Sequence, residues 1–291
     1  MKSVAIIVVT YNRLNLLKEC IQSLKNQTYD DRDIIVINNG STDGTQEWLE
    51  SQDDVITITQ ENSGGAGGFY TGLKYSCENG YDYSWVMDDD VIATPNALIE
   101  LMKNSNLSKG FLCSKVIDLE NMVCNVPAID FQKISNGELC WPEKCEKGLI
   151  RVKTATFVSV LFPNKTVREL GLPLKEYFIW GDDLEYTRRI SKKYPCYFCI
   201  NSIVVHKRVM SGTLNLLKET NPNRIKNFYF AYRNGIANAK QESTKLYIKE
   251  IGKTFAISCY LLLNGRFCKS YIVLKSIIAS FNFNPKVIFP K

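Results

Sequence analysis

Trp85-Val86-Met87-Asp88-Asp89-Asp90-Val91 is the stretch that decides the fold. The apolar run at residues 83–87 ends in three consecutive carboxylates, and Pro95 closes the region shortly afterwards. Because three adjacent acids repel one another, such a cluster is stable either as a solvated acidic turn or around a divalent cation. A lone histidine and a second acidic pair further along the chain favour the metal site.

The same pattern of an apolar run followed by a polar cluster recurs throughout the N-terminal third. Buried parallel strands are predicted at residues 4–9, 33–37, 55–59 and 83–87. Helical segments are predicted at residues 15–26 and 46–50, and after residue 69 through residues 73 and 75. This alternation predicts a doubly wound α/β domain, whose ligands bind beyond the carboxyl ends of the strands. The polar clusters fall at those ends: residues 10–13, 38–43, 62–68 and 88–90.

The chain is less regular after the acidic triplet. Residues 118–150 carry turn formers and predict loops or a small hairpin, whereas residues 152–162 predict one strand and residues 167–170 a short helix. Cys196 and Cys199 lie in a further predicted strand, where residues three apart point to opposite faces. Buried free thiols are therefore favoured over a zinc site, which would need a second pair nearby.

The composition is that of a globular protein: 291 residues, of which 45% are hydrophobic. The first apolar run is short and lacks a small-residue cleavage site, so a buried strand is favoured over a signal peptide. No apolar stretch reaches the length that spans a bilayer, and the ten cysteines follow no regular spacing. We therefore expect a cytoplasmic protein.

The glycine-rich segment at residues 64–68 has two readings. It matches neither a dinucleotide-binding fingerprint nor a Walker motif, because the spacing differs and no Lys-Ser/Thr follows. Close packing of a helix on the sheet would explain the glycines. Alternatively, the backbone closely approaches an anionic ligand, with amides at a helix N-terminus facing the anion.

A second acidic group, Asp182-Asp183-Leu184-Glu185, opens a predicted helix. Acids are favoured in the first turn by the helix dipole, so capping alone could explain them. Catalysis is the alternative. The only histidine, His206, follows a predicted strand, where a structural role and metal ligation are both open.

These motifs together resemble family 2 glycosyltransferases, which have a GT-A-type fold. The resemblance rests on Thr10-Tyr11-Asn12-Arg13, the turn at residues 39–45 and the acidic triplet, and it extends from about Ser3 to His206. Asn62-x-Gly64-Gly65-Ala66-Gly67-Gly68-Phe69 and Phe178-Ile179-Trp180-Gly181-Asp182-Asp183 resemble the galactofuranosyltransferase and rhamnosyltransferase branch. The implied activity is inverting transfer of galactofuranose from UDP-galactofuranose, or of rhamnose from dTDP-rhamnose, to a lipid-linked bacterial glycan acceptor.

The resemblance also implies roles for individual residues. Asp88, Asp90 and His206 would hold Mn²⁺ or Mg²⁺, and Asp89 would contact the donor sugar. Asp183 would be the catalytic base, with Asp182 and Glu185 beside it, Glu185 either holding the helix or binding the acceptor. Donor binding is assigned to Thr10, Tyr11, Asn12, Arg13, Asn38, Asn39, Asp43, Gly64, Gly65, Gly67, Gly68 and Trp180. Many relatives have an acid where this chain has Asn38 and Asn39, although an amide can also bind a base or ribose hydroxyl.

We expect a catalytic domain at residues 1–220, divided into a nucleotide-sugar half (1–115) and an acceptor and base half (116–220). Residues 221–291 form a helical, aromatic and basic region. Residues 224–291 carry a net charge of +10 within a total of +6, so the preceding chain is acidic. The basic region either packs on the catalytic domain or attaches to the anionic cytoplasmic face of a membrane.

Two other classes of function are disfavoured. A non-catalytic sugar-nucleotide or glycan-binding module has no need of the acids at residues 88–90 and 182–183. A nucleic-acid-binding protein would show a recognisable motif or an aromatic platform, and the sequence has neither.

Overall fold

The computed structural model describes residues 2–207 and 215–291. Four parallel strands form one half of its sheet, in the spatial order β3 (Val55–Thr59), β2 (Arg32–Asn38), β1 (Val4–Thr10) and β4 (Tyr83–Asp88). They are connected by α1 (Leu14–Lys25), α2 (Thr45–Glu50) and α3 (Gly64–Glu78). Every residue of β1 is buried, because helices cover both faces of the sheet. We call β1 to β4 with these helices the parallel half. Its predicted strands are confirmed, whereas α3 begins at Gly64 and includes the glycine-rich segment that was predicted to precede it.

In the part of the chain that the structure describes, the sheet continues through six further strands. In chain order these are β5 (Val91–Ala93), β6 (Leu112–Ile117), β7 (Ala128–Ile129), β8 (Leu149–Thr154), β9 (Val160–Pro163) and β10 (Cys196–His206). Beyond β4 the spatial order is β9-β6-β10-β8-β7, and β5 pairs with β10. β6 and β10 are parallel, whereas β9 runs antiparallel to both β4 and β6. Because β6 contains residues on both sides of position 115, the sheet crosses the predicted boundary between the two halves of the domain without a break.

The prediction of one strand at residues 152–162 was wrong. β8 ends at Thr154 and β9 begins at Val160, and the two strands pair with different neighbours. The connection between them contains Phe157, which is buried against Phe69 and Tyr186. Its apolar composition comes from packing in the core and gives no sign of a turn.

Two hydrophobic cores lie on opposite faces of the sheet. One contains the buried sides of α1 and α4 (Ala97–Lys103). The other contains those of α3, α5 (Asn164–Leu170) and α6 (Asp182–Ser191). Cys199 belongs to the first core and Cys196 to the second, and both are free thiols, as predicted.

Three helices follow the sheet: α7 (Pro222–Glu242), α8 (Thr244–Leu263) and α9 (Phe267–Asn282). We call them the C-terminal helices. α8 and α9 approach closely where Ser258 Oγ and Ser270 Oγ lie 2.8 Å apart, and Ser270 Oγ donates to the Ser258 carbonyl at 2.9 Å. Among the described helices, none combines the length and hydropathy needed to cross a bilayer.

Candidate active site

The turns that follow β1 and β2 are fastened to each other. Asn12, in the left-handed region at φ +54°, donates its backbone N–H to Ser41 Oγ at 2.9 Å, and Asn12 Oδ1 accepts from the Thr42 amide at 2.7 Å. Asp43 accepts from the Leu14 amide at 3.0 Å and so ties the second turn to the start of α1. Although partial burial acts in the opposite direction, hydrogen bonds lower the pKa of Asp43. Asn12 and Asp43 therefore define the shape of this end of the sheet.

Asn38 and Asn39 are buried, and both side chains are already engaged. Asn38 Nδ2 donates to Gln46 at 2.9 Å, and its Oδ1 accepts a backbone amide of the same turn at 3.0 Å. Asn39 Nδ2 donates to the Gly64 carbonyl at 3.1 Å, and its Oδ1 accepts from Gln60 at 2.7 Å. These contacts hold the β2 turn against the start of α3.

The acidic triplet begins with the last residue of β4, and two side chains of the β1 turn bind its carboxylates. Thr10 Oγ1 donates to Asp89 at 2.7 Å. Arg13 Nη1 lies 3.2 Å from Asp89 and 2.9 Å from Asp90. Asp89 and Asp90 are buried, whereas Arg13 is half exposed and Tyr11 lies exposed at the rim. The Asp89 carboxylate is thus directed at Thr10 and Arg13.

His206 reaches the triplet from the end of β10. Its backbone pairs with Val91 of β5, and its Nε2 lies 3.2 Å from Asp90 Oδ1. One ligand atom from each of Asp88, Asp90 and His206 lies within 4.8 Å of the others. The predicted metal-ligand set therefore converges in space, although His206 is far from the triplet in the chain.

The charges at this cluster fit a divalent cation. Three carboxylates face one guanidinium, which leaves a formal charge of minus two when all are ionised. Burial, followed by Asp90 and Asp89, raises the pKa of Asp88 well above its ordinary value. Asp90 Oδ1 is buried and makes no hydrogen bond of normal geometry with any described residue. A cation would satisfy this oxygen and stabilise the charged carboxylates.

The second acidic group lies at the start of α6. Asp182 is buried, and burial together with Asp183 raises its pKa to about 8. Asp183 is partly buried, and desolvation raises its pKa to about 6. Asp183 also contributes to the raised pKa of Asp88, so the two acidic groups lie within electrostatic range of each other.

Glu185 has a different environment from the two aspartates before it. Its carboxylate is buried and paired with Arg189, at 3.0 Å from Nε and 2.9 Å from Nη2. Arg189 in turn donates to the carbonyls of Leu170 and Leu172 at 2.7 and 3.0 Å. Of the two predicted roles for Glu185, these contacts support holding the helix.

Packing explains part of the glycine-rich segment. A Cβ at Gly64, where φ is +72°, would lie 2.0 Å from the Phe178 carbonyl oxygen, and one at Gly68 would lie 2.4 Å from Val9. Gly67 contacts Ser63 of its own turn. A Cβ at Gly65 would meet no atom within 4 Å. Gly65 is therefore the one glycine of this group beside open space, where a ligand could approach the backbone.

The comparisons with known proteins agree with this geometry. Residues 5–113 match the model of the family described as Glycosyl transferase family 2. Residues 5–113 carry a Glycosyl transferase family 2 domain. The matched range covers the parallel half from Ala5 onward together with the acidic triplet.

Relatives extend the similarity of this chain beyond residues 5–113. The chain is 28% identical over 261 residues to galactofuranosyltransferase GlfT1 of Mycobacterium tuberculosis, which covers 80% of this chain and 81% of the relative. It is 25% identical to GlfT1 of Mycolicibacterium smegmatis, over 79% and 81% of the two chains. A crystal structure of S. aureus TarS residues 1–349 with UDP-GlcNAc superposes with a TM-score of 0.58 at 14% identity, covering 96% and 89%. That match confirms the GT-A-type fold.

Two features of the glycosyltransferase site were missed from the sequence. Asn125 Oδ1 lies 3.0 Å from His206 Nδ1, so Asn125 fixes the ring by the nitrogen that faces away from Asp90. Trp180 packs on Phe228 of α7 with ring centroids 5.4 Å apart, which brings the C-terminal helices to the site. Neither Asn125 nor Phe228 belongs to a motif, and only the fold brings them close to His206 and Trp180.

An open groove of about 700 Å³ at the opposite end of the strands is separate from this site. It is lined by Lys2, Lys109, Lys165 and Tyr194 among others, and none of the acids described above contributes to it. Exposed lysines of this kind do not by themselves define a ligand site.

Proposed function

We propose that this protein is an inverting, metal-dependent glycosyltransferase that moves galactofuranose from UDP-galactofuranose to a hydroxyl of a growing, lipid-linked bacterial surface glycan. The observation that carries the proposal is the convergence of Asp88, Asp90 and His206, with Asp183 in electrostatic range, at the carboxyl end of the parallel strands. The similarity to GlfT1 over four-fifths of the chain supports the sugar.

In this mechanism Asp88, Asp90 and His206 hold Mn²⁺ or Mg²⁺, and histidine with carboxylates suits Mn²⁺ well. When bound, the ion neutralises charge that develops on the departing diphosphate. Asp183 removes the proton of the acceptor hydroxyl as that oxygen attacks the anomeric carbon on the face opposite the diphosphate. A single base with in-line attack inverts the anomeric configuration.

The β1 and β2 turns and Gly65 are proposed to surround the donor. Asp89 is buried and accepts hydrogen bonds from Thr10 and Arg13. It thereby fixes the Arg13 guanidinium beside the metal ligands. Among the described residues, this guanidinium is the nearest cation to the triplet. Tyr11 is exposed at the rim and free to pack on a base. Asn38 and Asn39 support the turn from behind, because their amides are engaged within the protein.

The acceptor side lies next to His206. The loop that carries Asn125, between β6 and β7, exposes four large apolar side chains, Leu119, Met122, Val123 and Val126. An apolar rim beside the metal-ligand group supports an acceptor with a lipid portion.

The donor experiment tests the activity. The protein is incubated with UDP-galactofuranose and, separately, dTDP-rhamnose, each with Mn²⁺ and a lipid-linked glycan acceptor, and nucleoside diphosphate release is followed. We expect release from UDP-galactofuranose. Release from dTDP-rhamnose alone would establish a rhamnosyltransferase, and binding without release from either donor would indicate a non-catalytic module.

We further propose that the C-terminal helices place the enzyme on an anionic membrane surface. Ile248, Phe255, Leu262 and Leu263 form an exposed stripe along α8 at helical spacing. The exposed lysines 245, 249 and 253 flank one side of this stripe. An apolar stripe bordered by lysines is typical of helices that lie in the membrane interface.

A second exposed stripe runs along α9. Its members recur at intervals of three and four residues: Phe267, Tyr271, Leu274, Ile278 and Phe281. The opposite side of α9 is buried and consists of Ser270, Val273, Ser276, Ile277 and Ser280. The net charge of +10 in residues 224–291 favours acidic lipids over a neutral surface.

Vesicle flotation tests the membrane surface. We expect the protein to float with vesicles that contain acidic phospholipid at low salt, and to remain with the bottom fraction on neutral vesicles. Absence of flotation on acidic vesicles, together with dimers in sedimentation velocity, would assign the stripes to a second copy of the chain.

A further inference from the structure

The segment that leads into α6 has an unusual backbone. Phe178 and Trp180 adopt φ values of +65° and +64°, and Gly181 has φ +90°. Left-handed φ at bulky residues is strained and persists only where surrounding contacts hold it. We call residues 177–181 the catalytic approach, because Asp182 and Asp183 follow it directly.

Asn234 of α7 holds the catalytic approach by its carbonyls. Its fully buried side chain donates from Nδ2 to the carbonyls of Tyr177 at 3.0 Å, Ile179 at 3.1 Å and Trp180 at 2.7 Å. Its Oδ1 accepts from Arg233 Nε at 3.0 Å. The two N–H groups of one side-chain amide are therefore shared among three carbonyls of this segment, at residues 177, 179 and 180.

Asn238, one helical turn later on the same face of α7, extends this contact. Its Nδ2 donates to the Gly181 carbonyl at 2.9 Å, and its Oδ1 accepts from the Tyr177 hydroxyl at 2.8 Å. The Arg233 guanidinium donates to the Glu176 carbonyl at 2.7 Å. Side chains of α7 thus bind the carbonyls of the catalytic approach up to Gly181, the residue before α6.

The approach is also fixed from its other side. The Phe178 carbonyl accepts from the Ala66 amide at 3.1 Å, and Gly64 leaves no room between α3 and this carbonyl. Phe178 stacks on Phe230 of α7 with ring centroids 4.7 Å apart. The first turn of α3, the strained approach and α7 consequently form one connected unit at the site.

We propose that Asn234 is a positioning residue for the transfer reaction: its amide holds the catalytic approach in the left-handed conformation that aims Asp183 at the acceptor hydroxyl. The proposal rests on the base role proposed above for Asp183. Without the three donated hydrogen bonds, the strained residues relax and the N-terminus of α6 shifts. A base displaced by about 1 Å can lower turnover by roughly 10²-fold while substrate binding changes little.

The test compares two buried asparagines. Asn234→Asp keeps the shape and the acceptor for Arg233 but removes the N–H donors. Asn164→Asp is the matched control, because Asn164 is also fully buried and donates to Ser76 Oγ at 2.8 Å and to the Tyr81 carbonyl at 2.7 Å, away from the acids. Asn234→Ala removes the same donors without adding a charge.

We expect both aspartate variants to unfold at a lower temperature, and the two Asn234 variants alone to lose about tenfold or more in kcat with the donor KM changed by less than about threefold. Hydrogen exchange of the amides at residues 178–184, measured without substrate, should accelerate in the Asn234 variants and stay unchanged in Asn164→Asp. The exchange readout tests the contact independently of the activity, so a wild-type protein that transfers no sugar refutes the proposed function without obscuring this result. Unchanged exchange, or a kcat within about twofold of the Asn164→Asp control, would overturn the proposal.

Discussion

The parallel half and the C-terminal helices use their apolar residues in opposite ways. In the parallel half every residue of β1 is buried, and the polar residues that matter lie at the strand ends. The C-terminal helices leave large side chains outside, with Leu263 86% and Ile278 69% exposed. The functional residues of the parallel half therefore lie in the turns at one edge of the sheet, whereas those of the C-terminal helices lie along helix faces. One face of α7 contacts the catalytic approach, and the stripes of α8 and α9 face outward.

The largest expected effect concerns Asp183, which lies where the two regions meet. Asp183→Asn keeps the shape of the side chain and removes its ability to accept a proton. Turnover should fall by roughly 10²-fold or more, with donor affinity largely kept. Steady-state kinetics with an independent measurement of donor binding checks this.

Glu185→Gln is the control for Asp183→Asn. Because its carboxylate is paired with Arg189, we expect Glu185→Gln to lower stability and to leave turnover of the folded enzyme within about tenfold of wild type. Near-normal turnover of Asp183→Asn would transfer the base role to Asp182.

How much the sequence can predict differs between the two regions for a physical reason. Alternating apolar runs and polar ends are local patterns, so the strands of the parallel half, the acidic triplet and the helix at Asp182 were predictable. His206 was found because it follows a strand and matches a family motif. Asn234 left no such trace, since its partners are backbone carbonyls 54 to 57 positions away in the chain.

The second prediction concerns the metal ligand contributed from outside the parallel half. His206→Ala removes one of three ligands, so Mn²⁺ affinity should fall by at least the roughly 10-fold that loss of a supporting partner costs. Electron paramagnetic resonance titration of free Mn²⁺ measures this directly, and excess EDTA should abolish turnover of the wild type until Mn²⁺ or Mg²⁺ is restored. Lys207→Ala, one residue further on and paired with Glu19, is the control and should bind Mn²⁺ normally. Full activity in EDTA would refute the metal assignment.

The third prediction uses the buried carboxyl group of Asp182. Its pKa is raised to about 8 in the fold by burial and by Asp183, from about 3.9 in an unfolded chain. The folded state therefore binds more protons between these values, so this group stabilises the fold below pH 4 and its contribution is lost as the pH rises toward 8. Asp182→Asn removes the titration. We expect it to raise the free energy of unfolding at pH 8 by about 1–3 kcal/mol relative to wild type, and by much less at pH 5.

Urea unfolding at the two pH values measures this difference. Glu169→Gln, at an exposed carboxylate whose partners are Lys193 and Tyr194, is the comparison and should not stabilise the protein at pH 8. An equal effect of Asp182→Asn at pH 5 and pH 8 would show that packing, and not the charge, is responsible.

The smallest expected effect is on membrane binding, and it distinguishes the outward face of the C-terminal helices from the rest of the basic surface. Lys249 is exposed beside the α8 stripe, and each such cation near an acidic membrane is worth about 1 kcal/mol, or about fivefold in binding. Lys249→Gln should therefore weaken partition onto acidic vesicles by about fivefold at low salt, and the difference should vanish at high salt because the interaction is screened. Lys192→Gln removes the same charge from an exposed position just after α6, so net charge alone would make the two variants equal. Equal losses would mean that the whole protein responds to the membrane as a diffuse positive charge. A loss confined to Lys249→Gln would show that α8 lies at the surface, with its stripe in the interface and α7 turned toward the catalytic approach.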